Sequence, residues 1–263
     1  MHLKRIAVAL IIIPALYFYV MYLPPQYFLF LLTLVSTLAL AEFYAISGVD
    51  GPVKYAGFLW GAVLLVLHFL ARDLFAGILI LASLSMLTVR LFAKRDPSGA
   101  VREASAAVFG LLYVPALLSF QVDIVKAGAP LLVMLYAAVW GSDSLALYIG
   151  KSMGKRRLYA EISPNKTVAG AVGSLVGGII GALLIRYTLL DFMLLQKAVL
   201  LGSVVGVVSI VGDLVESMFK RDAGVKDSSS LIPGHGGVLD KIDSVTFAGP
   251  AFFWCCTLLG VIT

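Results

Sequence analysis

The sequence has 263 residues, of which 60% are hydrophobic and 13% are charged. A soluble globular domain is roughly half apolar and about a quarter charged, so this composition excludes an ordinary soluble protein and indicates a polytopic membrane protein. The formal net charge of +5 does not indicate a nucleic-acid partner, because membrane proteins accumulate Lys and Arg on their cytoplasmic side.

Apolar stretches recur along the whole chain. A helix needs about 20 apolar residues to cross the hydrocarbon region of a bilayer. The stretches long enough to be predicted as transmembrane helices are 6–23, 27–45, 55–70, 74–91, 104–120, 130–149, 168–189, 198–218 and 245–262. We therefore predict an all-α bundle of about nine transmembrane helices in a single integral membrane domain, 1–263. The helices of the N-terminal part, 1–130, have a less specific sequence, and we expect 131–263 to hold the catalytic helices and the cytoplasmic loops.

The distribution of basic residues predicts the orientation of the bundle. If the N-terminus is cytoplasmic, all of the 20 Lys and Arg residues fall on the cytoplasmic side except Arg72, Lys126, Arg186 and Lys197. Cytoplasmic loops of membrane proteins carry such an excess of basic residues. We therefore expect an inner-membrane protein whose polar loops 150–167 and 219–244 both face the cytoplasm.

Glycines spaced four residues apart mark the predicted helices 168–189 and 198–218. Such glycines share a helix face and let another backbone approach closely. Close packing within the chain is the favoured interpretation, and a homodimer contact is the alternative. The glycines are Gly173, Gly177, Gly181, Gly202 and Gly206.

Polar side chains line one face of the predicted helix 198–218 and continue just past its end. Their spacing of three and four residues is that of an α-helical face, and they are Asp213, Glu216, Ser217 and Lys220. An ion pair between Glu216 and Lys220 leaves Asp213 without a partner. A divalent cation such as Mg²⁺ suits a carboxylate at this depth, with Asp240 and Asp243 returning from the loop as further ligands.

Two other acidic residues fall near predicted helix ends. Asp143 lies about two turns before the end of the helical region that precedes KSMGKRR, which makes it another candidate ligand. Glu42 lies near the cytoplasmic end of 27–45, and a structural role at the interface is the favoured interpretation for it.

The loop 219–244 has the composition of a phosphate-binding segment. Gly234, Gly236 and Gly237 allow backbone N–H groups to approach an anion, and Lys220, Arg221 and Lys226 are cationic donors. His235 lies between these glycines, and a functional and a structural role remain equally open for it. Because the spacing matches neither Walker A nor GxGxxG, the residues alone predict only a cytoplasm-facing site for metal and polyphosphate.

The same segment resembles the signature of phosphatidate cytidylyltransferases, also called CDP-diacylglycerol synthases. The matching residues are Ser217, Lys220, Arg221, Lys226, Asp227, the run LIPGHGG over 231–237, Asp240, Lys241 and Asp243. An upstream run also resembles this family, through Asp143, Ala146, Tyr148, Gly150, Lys151, Gly154, Lys155, the run SPNKT over 163–167 and Gly170. Lys241 departs from the family's usual arginine, which keeps the charge and loses bidentate phosphate geometry.

The resemblance implies an Mg²⁺-dependent reaction, with one or two metal ions, in which CTP and phosphatidic acid give CDP-diacylglycerol and pyrophosphate. The expected catalytic residues are Asp213, Asp240, Lys220 and Lys226. The expected metal ligands are Asp213, Asp240, Asp243 and Asp143. The expected substrate contacts are Ser217, Arg221, Asp227, His235, Gly236, Gly237, Lys166 and Ser163.

Two other functions remain as alternatives. A polyprenol or phytol kinase would use CTP with similar loop chemistry and a different acceptor. An ion-coupled transporter would use Asp143, Asp213 and Glu216 as coupling sites, but it predicts paired broken helices and repeat symmetry, which the sequence lacks.

Overall fold

A computed structural model describes residues 13–231 and 236–262, which form a helical bundle with one small β-hairpin. The first six helices are α1 (Ile13–Tyr22), α2 (Pro25–Ser47), α3 (Gly51–Leu70), α4 (Phe75–Ala93), α5 (Ala100–Leu111) and α6 (Phe120–Ala127). The remaining elements are α7 (Ala129–Met153), β1 (Arg157–Tyr159), β2 (Ser163–Thr167), α8 (Val168–Leu189), α9 (Leu195–Asp222) and α10 (Leu239–Leu258).

Within these described ranges, seven helical segments are long and apolar enough to cross a membrane. Five of them are α2, α3, α7, α8 and α9. The sixth, Arg72–Ala93, consists of a short helical turn and α4, and the seventh, Ala100–Ala127, consists of α5, a short helical turn and α6. The all-α polytopic architecture is thus confirmed. The count of nine crossings stays a prediction, since α1 and α10 are not among the seven.

Glycines join α7, α8 and α9 into one tightly packed layer. A Cβ atom added at Gly177 or Gly181 of α8 would collide with the α7 backbone, and one at Gly178 would collide with the α9 backbone at Gly202. Hydroxyl groups continue the contact, since Ser142 Oγ donates to the Ser174 carbonyl over 3.0 Å and Ser174 Oγ donates to the Gly206 carbonyl over 2.9 Å. The glycine face therefore packs within the chain, as the sequence favours, and α7 occupies it.

The segment between α5 and α6 departs from regular α-helix. Leu112–Ala116 forms a π-helical turn that contains Pro115, which has no N–H group to donate and disfavours a continuous α-helix. Tyr113 lies on this turn, and its ring packs against Phe219 of α9 and Phe247 of α10, with centroids 5.2 Å and 6.2 Å away. The turn thus meets the two helices that carry most of the acidic residues of interest.

The start of α10 differs from the sequence-based expectation. We expect an apolar helix from residue 245, whereas α10 begins at Leu239 and includes Asp240 and Asp243. The criterion of hydrophobicity excludes these charged residues from a membrane helix, although their backbones continue its first two turns. Both carboxylates are therefore held by a helix rather than by a flexible return loop.

Candidate active site

Three carboxylates meet where α9 packs against the start of α10. One oxygen from each of Asp213, Glu216 and Asp243 lies within 4.8 Å of the others. Asp213 and Glu216 are three residues apart on one face of α9, while Asp243 comes from α10. Gly212 permits this approach, since a Cβ atom there would lie 2.6 Å from the Asp243 carbonyl oxygen. We call these three residues the acidic cluster.

Two lysines flank the acidic cluster. Lys166 of β2 places its Nζ 2.8 Å from Asp213 Oδ2. Lys220 of α9 forms an ion pair with Glu216, as the sequence predicts, and a second one with Asp240, at 2.5 Å between Nζ and Oδ1. Ser217 lies on the same face, with Oγ 3.4 Å from Asp213 Oδ1. Predicted phosphate contacts and predicted metal ligands thus lie side by side.

Asp143 approaches the same site from α7. Its Oδ1 accepts a hydrogen bond from Ser244 Oγ over 3.3 Å, which places it beside Asp243 in the chain of α10. Asp143 and the exposed Lys241 also border a cleft of about 190 Å³. The other walls of this cleft are mainly apolar and are formed by Leu16, Phe28, Leu31, Leu32, Val35, Leu118, Gln121, Tyr136, Val139, Trp140, Ile242 and Val245.

Asp240 has a different set of partners from the one expected of a metal ligand shared with Asp213. Its Oδ1 pairs with Lys220, and its Oδ2 accepts from the backbone N–H groups of Ser228 and Gly237 over 2.9 Å and 2.7 Å. Asp240 is not part of the acidic cluster, which contains Glu216, and its predicted role as a metal ligand stays a prediction. Asp240 lies three residues before Asp243 on α10, at the level of Lys220, whose ammonium pairs with its Oδ1.

Two glycines shape the chain just before α10. Gly236 has φ of 84°, and a Cβ atom on it would lie 2.6 Å from Asp240 Oδ2. A side chain at Gly237 would collide with the carboxylate of Glu42 and the hydroxyl of Ser228. Gly236 therefore allows the positive φ at its position, and Gly237 leaves space for the carboxylate of Glu42.

The remaining predicted catalytic and substrate-contact residues lie around the loops that the expected topology places on the cytoplasmic side. Arg221 donates to the carbonyls of Ile162 and Val225 over 3.3 Å and 2.8 Å, and thereby connects α9 to the β-hairpin. Lys226 and Asp227 are exposed, and Ser163 opens β2. Their roles stay predictions, and His235 lies outside the described residues.

Two buried groups at the site are not predicted as site residues by the sequence. Glu216 is fully buried, and no hydrogen-bond donor reaches its oxygens among the described residues apart from the paired Lys220 ammonium. Tyr113 is 2% exposed, and its hydroxyl likewise has no hydrogen-bond partner in the described part of the chain. The helical spacing from Asp213 points to Glu216, whereas Tyr113 lies in an apolar stretch that carries no motif.

The chemistry of the acidic cluster suits a hard divalent cation. Clustered carboxylates repel one another unless a cation compensates them. Lys166 and Lys220 supply part of that charge, but Asp243 forms no ion pair with any described residue. Carboxylate oxygens at this separation are the ligands that Mg²⁺ takes in proteins, together with substrate phosphates.

Comparison with known proteins identifies the family whose sequences this chain matches. Residues 3–259 match the model of the cytidylyltransferase family. The chain is 37% identical over 237 residues to the uncharacterized protein YnbB of Escherichia coli K12, covering 85% of this chain and 78% of the relative.

Proteins named phosphatidate cytidylyltransferase match a shorter region. The protein from Synechocystis is 44% identical over 131 residues, 48% of this chain and 43% of its own length. The protein from Pseudomonas aeruginosa is 46% identical over 123 residues, 46% of this chain and 45% of its own length. The match to these two relatives thus spans less than half of each.

Proposed function

The chain belongs to the cytidylyltransferase family, and we propose that it transfers the cytidylyl group of CTP to phosphatidic acid. The observation that carries this proposal is the acidic cluster, with Lys166 and Lys220 beside it, at the end of α9 where the family signature lies. The similarity to two proteins named phosphatidate cytidylyltransferase supports the same acceptor.

In this reaction a phosphate oxygen of phosphatidic acid attacks the α-phosphorus of CTP. A new P–O bond forms as the bond between the α-phosphorus and its bridging oxygen breaks, and pyrophosphate leaves with that oxygen. The attacking oxygen is already anionic, so no protein base has to remove a proton. The task of Lys166 and Lys220 is to orient the phosphates and to offset their charge.

We assign the metal to Asp213, Glu216 and Asp243, with Asp143 as a neighbouring carboxylate. Mg²⁺ held there would offset negative charge on the phosphates of the nucleotide. Asp240 has a different role in this proposal, since its carboxylate holds Lys220 and the chain before α10. Glu216 therefore replaces Asp240 in the set of ligands predicted from the sequence.

The cleft beside Asp143 suits a lipid acceptor. Its mainly apolar walls, contributed chiefly by α1, α2, α7 and α10, can take part of an acyl chain, while Asp143 and Lys241 mark its polar end. We propose that the site faces the cytoplasm at the inner membrane, because 16 of the 20 Lys and Arg residues belong to that side of the expected topology. Basic residues there also attract anionic lipid, by about 1 kcal/mol each.

The test uses purified protein in detergent with Mg²⁺, phosphatidic acid and CTP that carries its label on either the α- or the γ-phosphate. The proposal expects α-label in CDP-diacylglycerol and γ-label in pyrophosphate. Transfer of the γ-label to an added polyprenol or phytol would overturn it in favour of a kinase. Release of neither label, in a preparation that binds CTP, would also overturn it.

A further inference from the structure

A carboxylate from the N-terminal half reaches across the bundle to the segment before α10. Glu42 of α2 is 6% exposed, and both of its oxygens accept hydrogen bonds from residues more than 180 positions away. Oε1 accepts from Ser229 Oγ over 2.7 Å and from the Val238 N–H over 2.9 Å. Oε2 accepts from Ser228 Oγ over 2.9 Å and from the Leu239 N–H over 2.8 Å.

These contacts make Glu42 the N-terminal cap of a helix that has no cap of its own. Val238 and Leu239 open α10, where the first backbone N–H groups lack partners within the helix, and no neighbouring side chain caps it. A negative charge at this position also interacts favourably with the helix dipole. Through Ser228 and Ser229 the same carboxylate holds the chain that leaves α9. It therefore ties together both described ends of the connection between α9 and α10.

The consequence of this tie reaches the proposed metal site in two steps. Asp240 lies in the first turn of α10, so its position depends on how the start of that helix is held. Asp240 in turn pairs with Lys220, whose ammonium also pairs with Glu216 of the acidic cluster. The absence of a side chain at Gly237 leaves the space that the Glu42 carboxylate needs.

We propose that Glu42 is a positioning residue, which fixes the start of α10 and, through Asp240, orients Lys220 beside the acidic cluster. This inference goes beyond the proposed function in assigning a role to α2, and its kinetic consequence rests on that function. Loss of the Glu42 charge should lower kcat more than it raises KM for either substrate, because the phosphate-orienting lysine is misplaced while most substrate contacts remain.

The test compares wild-type protein with Glu42→Gln, which keeps the size of the side chain and removes its charge. Hydrogen exchange of peptides covering residues 236–244 should accelerate about tenfold or more, because Gln keeps only one acceptor oxygen and presents an NH2 group to the other of the Val238 and Leu239 amides. CDP-diacylglycerol formation should show a kcat about tenfold lower with KM for CTP and phosphatidic acid changed much less.

Glu103→Gln is the matched control. Glu103 is another buried carboxylate of the N-terminal half, paired with Arg90 at 2.6 Å and Lys94 at 2.7 Å, and its hydrogen bonds and ion pairs are made outside the α10 region. This variant should lower the thermal midpoint without a selective change in exchange at 236–244. Equal exchange at 236–244 in the Glu42→Gln and Glu103→Gln proteins would overturn the proposal, and so would a wild-type kcat in Glu42→Gln.

Ser229→Ala keeps the proposal testable if Glu42→Gln does not fold. It removes one donor to Glu42, and it should produce a smaller acceleration of exchange in the same peptides. If both variants fold, the double variant should be no worse than Glu42→Gln alone, and additive effects would count against the shared contact. If wild-type protein makes no CDP-diacylglycerol, the proposed function fails, while the exchange comparison still decides the role of Glu42.

Discussion

The two halves of the molecule carry their functional residues in very different ways. From α7 to α10, polar residues stand at recognisable spacings, and the family signature runs through the end of α9 and the start of α10. From α1 to α6, the sequence consists of apolar stretches without a motif. Yet this N-terminal half supplies Glu42 and Tyr113, and both approach the site at α9 and α10. An apolar half can thus complete a polar site through a few isolated side chains.

The two halves also differ in what their acidic side chains contact. In the C-terminal half, Asp213, Glu216 and Asp243 gather into a cluster that suits a cation. In the N-terminal half, Glu42 accepts four hydrogen bonds from residues of the C-terminal half, and Glu103 forms ion pairs with Arg90 and Lys94. The C-terminal half should therefore control chemistry, and the N-terminal half should control geometry and access.

The largest effect is expected from the acidic cluster itself. Asp243→Asn removes one negative charge without changing size, and kcat should fall about a hundredfold or more because the proposed metal loses a charged ligand. The fall should be smaller at high Mg²⁺ concentration, measured by the rate of labelled CDP-diacylglycerol formation. Asp191→Asn is the control, since Asp191 is exposed in the turn between α8 and α9. Activity in Asp243→Asn within about threefold of wild type would remove the metal assignment.

The tight packing of the C-terminal half should be sensitive to a single methyl group. Gly177→Ala places a Cβ against the backbone of Gly141 in α7, and it should lower the free energy of unfolding by about 1–3 kcal/mol. Gly77→Ala in α4 is the matched control, because nothing lies within 4 Å of the added atom. Alanine there should be neutral or slightly stabilising. Thermal unfolding in detergent measures both, and equal midpoints would contradict the packing argument.

Tyr113→Phe tests whether the N-terminal half contributes to chemistry. The ring contacts with Phe219 and Phe247 remain, so kcat should fall about tenfold if the hydroxyl serves bound substrate. Stability should be unchanged or higher, because the hydroxyl is buried and has no partner among the described residues.

Tyr44→Phe is the corresponding control, since the Tyr44 hydroxyl donates to the Ala107 carbonyl over 2.8 Å. This variant should lose stability and keep its kcat. A Tyr113→Phe protein with wild-type kcat would confine the function of the N-terminal half to positioning and access. Steady-state kinetics and thermal unfolding on the same preparations separate these outcomes.

The smallest effect is expected at the apolar cleft. Val35→Phe narrows the cleft from α2, and KM for a long-chain phosphatidic acid should rise about threefold while KM for CTP stays the same. Leu34→Phe is the control, because the neighbouring Leu34 is half exposed on the outer surface of α2 and does not line the cleft. An equal change in both variants would mean that the cleft does not take the acyl chain.

Local sequence determined the helical architecture and the family. Each predicted apolar stretch overlaps helical structure in the described chain, because a helix satisfies its own backbone hydrogen bonds. Residues 6–12 of the first stretch lie outside the described residues, and 104–120 covers most of α5 and the π-helical turn. The resemblance carried by residues 217–243 is confirmed by the match to the cytidylyltransferase family. The ion pair between Glu216 and Lys220 was also predictable, since both residues share one helix face.

Only the tertiary structure decided which carboxylates lie close together. The sequence predicts Asp240 as a catalytic residue and metal ligand and Asp243 as a metal ligand only, whereas the packing of α10 against α9 pairs Asp240 with Lys220 and brings Asp243 to Asp213. Glu42 and Tyr113 have no motif because their partners lie far away in the chain, on α9, α10 and the segment between them. Spacing along a helix predicts neighbours within that helix, whereas contacts between helices depend on how their faces pack.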